Sequence, residues 1–137
     1  MEQRSTRSVT ATLDGAPYTT RLDLDGHALV ADEPEDLGGA NEGPRPHDLL
    51  CASLAACTAI TLRMYADRKG WPSGHIGVTV DMDRTSKDGR VETAFSLRLA
   101  LDPALSEEQK GRMLQIARSC PVHRTLENPI HLKASLA

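Results

Sequence analysis

Leu49-Leu50-Cys51-Ala52-Ser53-Leu54-Ala55-Ala56-Cys57-Thr58-Ala59-Ile60-Thr61-Leu62 is apolar or small at almost every position. Nothing from His47 to about Lys69 breaks a helix, Pro46 fits the first turn, and Gly70-Trp71-Pro72 stops it. A helix that is apolar on every side has to be covered on every side. The apolar stretch is shorter than the roughly 20 residues of a membrane span, and Arg63, Asp67, Arg68 and Lys69 follow at once. The pattern therefore predicts a central buried helix with the rest of the chain wrapped around it.

On its N-terminal side the chain reads as β. Val9–Leu13, Tyr18–Leu24 and His27–Ala31 are short alternating runs, separated by Asp14-Gly15 and Asp25-Gly26. Asp-Gly between alternating runs is a strong hairpin signal. Residues 32–46 are rich in Gly and Pro, and a loop of that length in a small domain is often functional. On the C-terminal side, His75–Asp83 and Arg90–Leu101 alternate around Asp88-Gly89, a third such turn. Ser106 and Gln109 have the spacing of a capping box opening a helix near Glu107–Arg118. A short helix entered at Pro121 and a closing strand over His131–Leu136 complete the order βββ-α-ββ-α-α-β. That is an α+β fold, and 137 residues make it one domain, 1–137.

Composition removes several function classes. Sixteen Lys and Arg against 19 Asp and Glu give −3, without the clustered positive charge that nucleic acid or an anionic membrane surface requires. Aromatic residues make up 3% of the chain, only Phe95, Trp71, Tyr18 and Tyr65, which argues against a base-stacking platform. No secretory signal is legible at the N-terminus, and the expected location is the cytoplasm. Phosphate-binding Gly motifs and the Gly-x-Ser-x-Gly elbow are missing, so no cofactor is expected.

Three cysteines make a poor disulfide framework, and in a reducing cytosol they point instead to redox or metal chemistry. Each is weighed against the plain role of a small buried hydrophobe. Cys120 precedes Pro121, where a helix begins and unpaired backbone N–H groups stabilise a thiolate; Arg118, His123 and Arg124 lie close in sequence. Cys57 is mid-helix. Cys51, six residues earlier, points about 120° away from it, so the two cannot bridge within one helix, and the reading for Cys51 is a core filler. Cys57, Cys120 and His123 also make up a possible metal-thiolate set, although one Cys-x-x-His is a weak zinc signal.

Gly38-Gly39, Gly43-Pro44-x-Pro46, His47-Asp48-Leu49-Leu50 and Leu54-Ala55-Ala56-Cys57-Thr58, followed by Cys120-Pro121-Val122-His123-Arg124-Thr125-Leu126, together resemble the OsmC/Ohr family of osmotically inducible and organic hydroperoxide resistance proteins. The resemblance implies an intertwined homodimer whose sheets wrap around two central helices. It also implies a thiol peroxidase for organic hydroperoxides, with Cys57 peroxidatic, Cys120 resolving, and a dithiol such as dihydrolipoamide as reductant. In the family's best-studied branch an Arg in the first hairpin and a Glu ten residues before the first Cys support the thiolate. Here His47 and Asp48 stand ten and nine residues before Cys57, and Arg21 and Arg45 are the nearest candidate cations. Two rival readings accompany the peroxidase. One is a non-catalytic OsmC-like protein that binds small molecules or senses redox state, and the other is the metal-thiolate site.

Overall fold

The computed structural model describes residues 2–137 and divides the chain into two compact units, 1–50 and 51–137. The first unit contains an antiparallel sheet of β1 (Thr10–Thr12), β2 (Thr20–Leu24) and β3 (His27–Ala31), in that order. Leu24 pairs with His27 across the Asp25-Gly26 turn, where both residues have positive φ, 53° and 85°. That conformation matches the right-handed twist of a hairpin and suits Asp-Gly.

The loop after β3 is organised around one buried carboxylate. Asp32 is 2% exposed and accepts from Thr19 Oγ1 at 2.8 Å, from its neighbour Glu33 N–H at 2.7 Å and from Glu42 N–H at 3.1 Å. Its own N–H donates to the Pro44 carbonyl at 3.0 Å. Gly39 and Gly43 lie so close to the Glu33 and Val30 carbonyls that a Cβ would overlap them. At the end of the loop Arg45 Nε stands 2.9 Å from Glu33 Oε2. The contact lacks hydrogen-bond alignment, so it is an ion pair only.

α1 (Pro46–Lys69) begins at the expected proline and ends at Gly70, whose φ of 68° closes the helix while Trp71 N–H returns to the Ala66 carbonyl at 2.9 Å. With 24 residues it is longer than its apolar stretch, and by length and composition alone it reaches what a membrane span needs. Leu54, Thr58, Leu62, Tyr65 and Ala66 are its buried residues. Ile60 is 56% exposed, Met64 62% exposed, and 28% of the most apolar window is buried. The helix read as buried on all sides is thus covered by its own chain on one face.

In the second unit β4 (Ile76–Lys87) and β5 (Arg90–Leu101) pair along their whole length, Ile76 with Leu101 and Lys87 with Arg90. β4 runs past the expected Asp83 because the ladder continues to the Asp88-Gly89 turn. α2 (Glu107–Ile116) opens with the capping box, Gln109 N–H to Ser106 Oγ at 3.1 Å and Ser106 N–H to Gln109 Oε1 at 2.8 Å. It passes through a 3-10 turn, Ala117–Ser119, into α3 (Pro121–Glu127). The core joins Leu62, Tyr65 and Ala66 of α1 to Leu105, Met113 and Ala117, with Ile76, Leu99 and Leu101 of the hairpin packed against it.

The elements present make the fold α+β, with one correction. No strand forms over His131–Leu136, and Leu132 and Leu136 are 92% and 99% exposed. Alternation supplies a strand's two faces, but a strand also needs a neighbour to take its backbone hydrogen bonds, and among the described residues none pairs with this segment.

Burial raises the Asp32 pKa, but the Thr19 hydroxyl and the Glu33, Glu42 and Ala40 N–H groups outweigh it, so the carboxyl titrates below its usual 3.8. Its contribution to stability is therefore complete above about pH 4 and is lost as pH falls through the lowered folded pKa. Asp32→Ala should speed hydrogen exchange at the Glu42 amide at neutral pH and lose that effect in acid. Unchanged exchange at pH 7 would contradict the clamp.

Candidate active site

Cys57 stands mid-helix on α1 and is half-buried, whereas Cys120 is fully buried at the position before α3. The Cys120 backbone (φ −56°, ψ 130°) is not helical, and its sulfur turns back to accept from the His123 N–H at 3.5 Å. Pro121 then opens the helix with no N–H to leave unpaired.

Both thiols are free, and each acts on the other's ionisation. Burial pushes Cys57 up from the usual 9.0, and the neighbouring Cys120 pushes it further. The Val122 N–H and the Thr61 hydroxyl act in the other direction without reversing the shift. Burial also pushes Cys120 up, but the neighbouring Cys57 and the His123 N–H, which donates to the sulfur at 3.5 Å, bring it below 9.0. Thr58 touches Cys120 too, yet its single hydroxyl proton goes to the Leu54 carbonyl at 2.8 Å, leaving none for the sulfur. Cys57 is thus the more reluctant of the two to ionise. Two neighbouring thiols cannot both ionise easily, so they titrate as a unit.

The site unites Cys57, Cys120 and the backbone of His123. The His123 ring turns its Nε2 to Glu127 Oε1 at 3.3 Å, and it lines a recess of about 200 Å³ with Leu54, Phe95, Leu97, Leu126 and Glu127. A larger cleft of about 730 Å³ lies two turns further along α1, around Tyr65, Trp71 and Arg112, and holds neither thiol. Arg21, Arg45, His47 and Asp48 belong to the first unit, where Arg45 is paired with Glu33 and Asp48 accepts from the Arg45 N–H at 3.0 Å. Cys51 is not among the groups acting on either sulfur.

The metal-thiolate alternative is not supported. Among the described residues no three His, Cys, Asp or Glu side chains are placed to hold a metal ion. Sequence reasoning missed Thr61 and the Val122 N–H. A hydroxyl four residues after Cys57 in an otherwise apolar helix was a readable signal for Thr61, but the Val122 contact depends on tertiary structure.

The sequence model of the OsmC-like protein family matches residues 39–135, and the chain belongs to that family. No curated protein matches it. Among solved structures it resembles an OsmC-like protein from Mycoplasma pneumoniae, with TM-score 0.78, 22% identity, and 91% of this chain and 89% of that one covered. An organic hydroperoxide resistance protein OsmC from Legionella pneumophila gives TM-score 0.69 and 19% identity over 91% of each chain. An OsmC-like protein of unknown function from Vibrio cholerae gives 0.72 and 12% identity over 90% of this chain and 95% of that one. At such identities the likeness establishes the fold.

Cys51→Ala should leave the reactivity of the other two thiols toward a thiol-specific reagent unchanged, and cost at most about 1 kcal/mol for a small cavity. A large fall in Cys57 reactivity in the folded variant would place Cys51 in the site.

Proposed function

We propose that the chain is a cysteine-based thiol peroxidase that reduces organic hydroperoxides in oxidative stress defence. The carrying observation is the pair of neighbouring free thiols, one half-buried and one buried, each acting on the other's ionisation. Cys57 is the peroxidatic residue because a peroxide can reach it, while Cys120 has no exposed surface. Its sulfur attacks the distal peroxide oxygen, the O–O bond breaks, and the alcohol leaves after protonation. The resulting sulfenic acid meets the Cys120 thiolate, the S–S bond forms, and the hydroxyl departs as water with a solvent proton. A dithiol such as dihydrolipoamide reduces the disulfide by exchange and becomes oxidised itself. No cofactor or metal takes part in this cycle.

The working form in this reading is a cytoplasmic homodimer, intertwined, with residues 1–137 acting as one OsmC-like domain. Ile60 and Met64 in water forgo roughly 1.5–3 kcal/mol each, and a second copy is the natural cover for that face. The group that supports the reacting sulfur is, in this reading, one of Arg21, Arg45 and His47 or a residue of the partner copy.

One observation favours the non-catalytic reading. No cation is among the groups acting on Cys57, so a slowly reacting thiol pair would serve as a reversible redox sensor or part of a binding site. Turnover separates the two readings.

Cys57→Ser should abolish dihydrolipoamide-dependent reduction of cumene hydroperoxide. Cys120→Ser should leave a trappable sulfenic acid at Cys57 and no 57–120 disulfide. Sulfenic acid on Cys120 in the Cys57→Ser variant would reverse the roles, and no oxidation in the unmodified protein would leave the sensor or binding reading. Sedimentation at micromolar concentration should give a dimer, whereas a folded monomer would contradict the cover proposed for α1.

A further inference from the structure

We propose that the cleft between the C-terminal end of α1 and α2 is a second site, apart from the thiols, that binds a small aromatic carboxylate on Arg112.

Arg112 is held in place yet carries an uncompensated charge. Its Nε–H donates to the Tyr65 hydroxyl at 3.1 Å and its Nη1–H to Gln115 Oε1 at 2.9 Å. The guanidinium carbon lies 5.9 Å from the centre of the Tyr65 ring, and Lys69 Nζ lies 5.8 Å from the same centre. Both hydrogen-bond acceptors are neutral. Arg45, Arg63 and Arg98 meet Glu33, Asp67 and Asp81, whereas among the described residues Arg112 forms no ion pair. Its Nη2 has no hydrogen-bond partner among them either. A guanidinium with a free edge matches the two oxygens of a carboxylate. Fixing it beforehand lowers the entropy that binding costs.

The groups around Arg112 also offer donors. Gln115 Oε1 is occupied by Arg112, and Gln109 Oε1 by the Ser106 N–H at 2.8 Å. Each amide keeps its NH2 for a ligand. The Tyr65 hydroxyl accepts from Arg112, so its proton is the part left to give. Glu108 is the one acid on the lining, and it is exposed. One guanidinium suits one negative charge, and a doubly charged phosphate would meet more repulsion from Glu108.

The apolar half of the ligand is set by Trp71 and Tyr65, which pack edge to face with ring centres 5.4 Å apart. About 730 Å³ leaves room for a ring and a short chain. Gly111 lines the α2 side. Glycine inside a helix costs stability relative to alanine, and packing does not require it here, since a Cβ would meet nothing within 4 Å. Its effect is to keep that wall of the cleft low.

Trp71 is the single tryptophan of the chain, so its fluorescence reports on this cleft. Phenylacetate is titrated into the full chain, with phenylacetamide, which has the ring without the charge, and acetate, which has the charge without the ring. Phenylacetate should change Trp71 emission saturably, and each comparator should bind at least about tenfold more weakly. Arg112→Gln should weaken phenylacetate about tenfold, and Gly111→Leu should abolish its binding, with circular dichroism confirming that each variant is folded. Saturation-transfer NMR on the same samples registers binding that leaves the emission unchanged. No saturable binding by either method overturns the proposal, as does equal binding of phenylacetamide or unchanged affinity in either folded variant. Alkylation of Cys57 by iodoacetamide should proceed at the same rate with and without phenylacetate. Protection of Cys57 would place the ligand at the thiols and overturn the second site, whereas failure of peroxide turnover leaves this test intact.

Discussion

The structure depends on how α1 is covered. Its Leu54, Thr58, Leu62 and Ala66 face recurs every four residues, and Leu62 and Ala66 join the core with Met113 and Ala117. That packing fixes the rotation of the helix. It leaves Cys57, one residue from buried Thr58, at the edge of the covered face, where the segment carrying Cys120 passes. The opposite face, with Ile60 and Met64, remains apolar and open, so the same helix that positions the thiol also calls for a partner.

The chemistry follows from putting two sulfurs in a poorly solvated place with few donors. Water would stabilise either thiolate, and burial removes much of that help. The His123 N–H, which reaches Cys120 and not Cys57, then favours ionisation of Cys120. In the proposed cycle the resolving thiol already neighbours Cys57, so a sulfenic acid would have little time to oxidise further.

Much of the fold was legible in the sequence because its signals are local. The Asp25-Gly26 and Asp88-Gly89 turns, the Ser106/Gln109 capping box and the breaks around α1 each act over a few residues. His131–Leu136 failed because alternation says nothing about where a partner strand lies. In the site, the two motif cysteines were readable, and the Cys120–Pro121 pair located the start of α3. The opposite shifts of the two thiols were not, since they depend on the approach of residues 63 positions apart. The anchoring of the 32–46 loop on Asp32 was equally hidden, because a lone acidic residue at a strand end looks like ordinary surface charge.

The central claim is that Cys57 and Cys120 form one redox unit and that Cys51 stands outside it. Counting free thiols in the denatured protein after one equivalent of cumene hydroperoxide tests this directly. Of the three thiols in the chain, two should disappear together and return on treatment with dihydrolipoamide, and peptide mapping should place the bridge between Cys57 and Cys120. Retention of all three thiols, or a bridge that includes Cys51, would contradict the account.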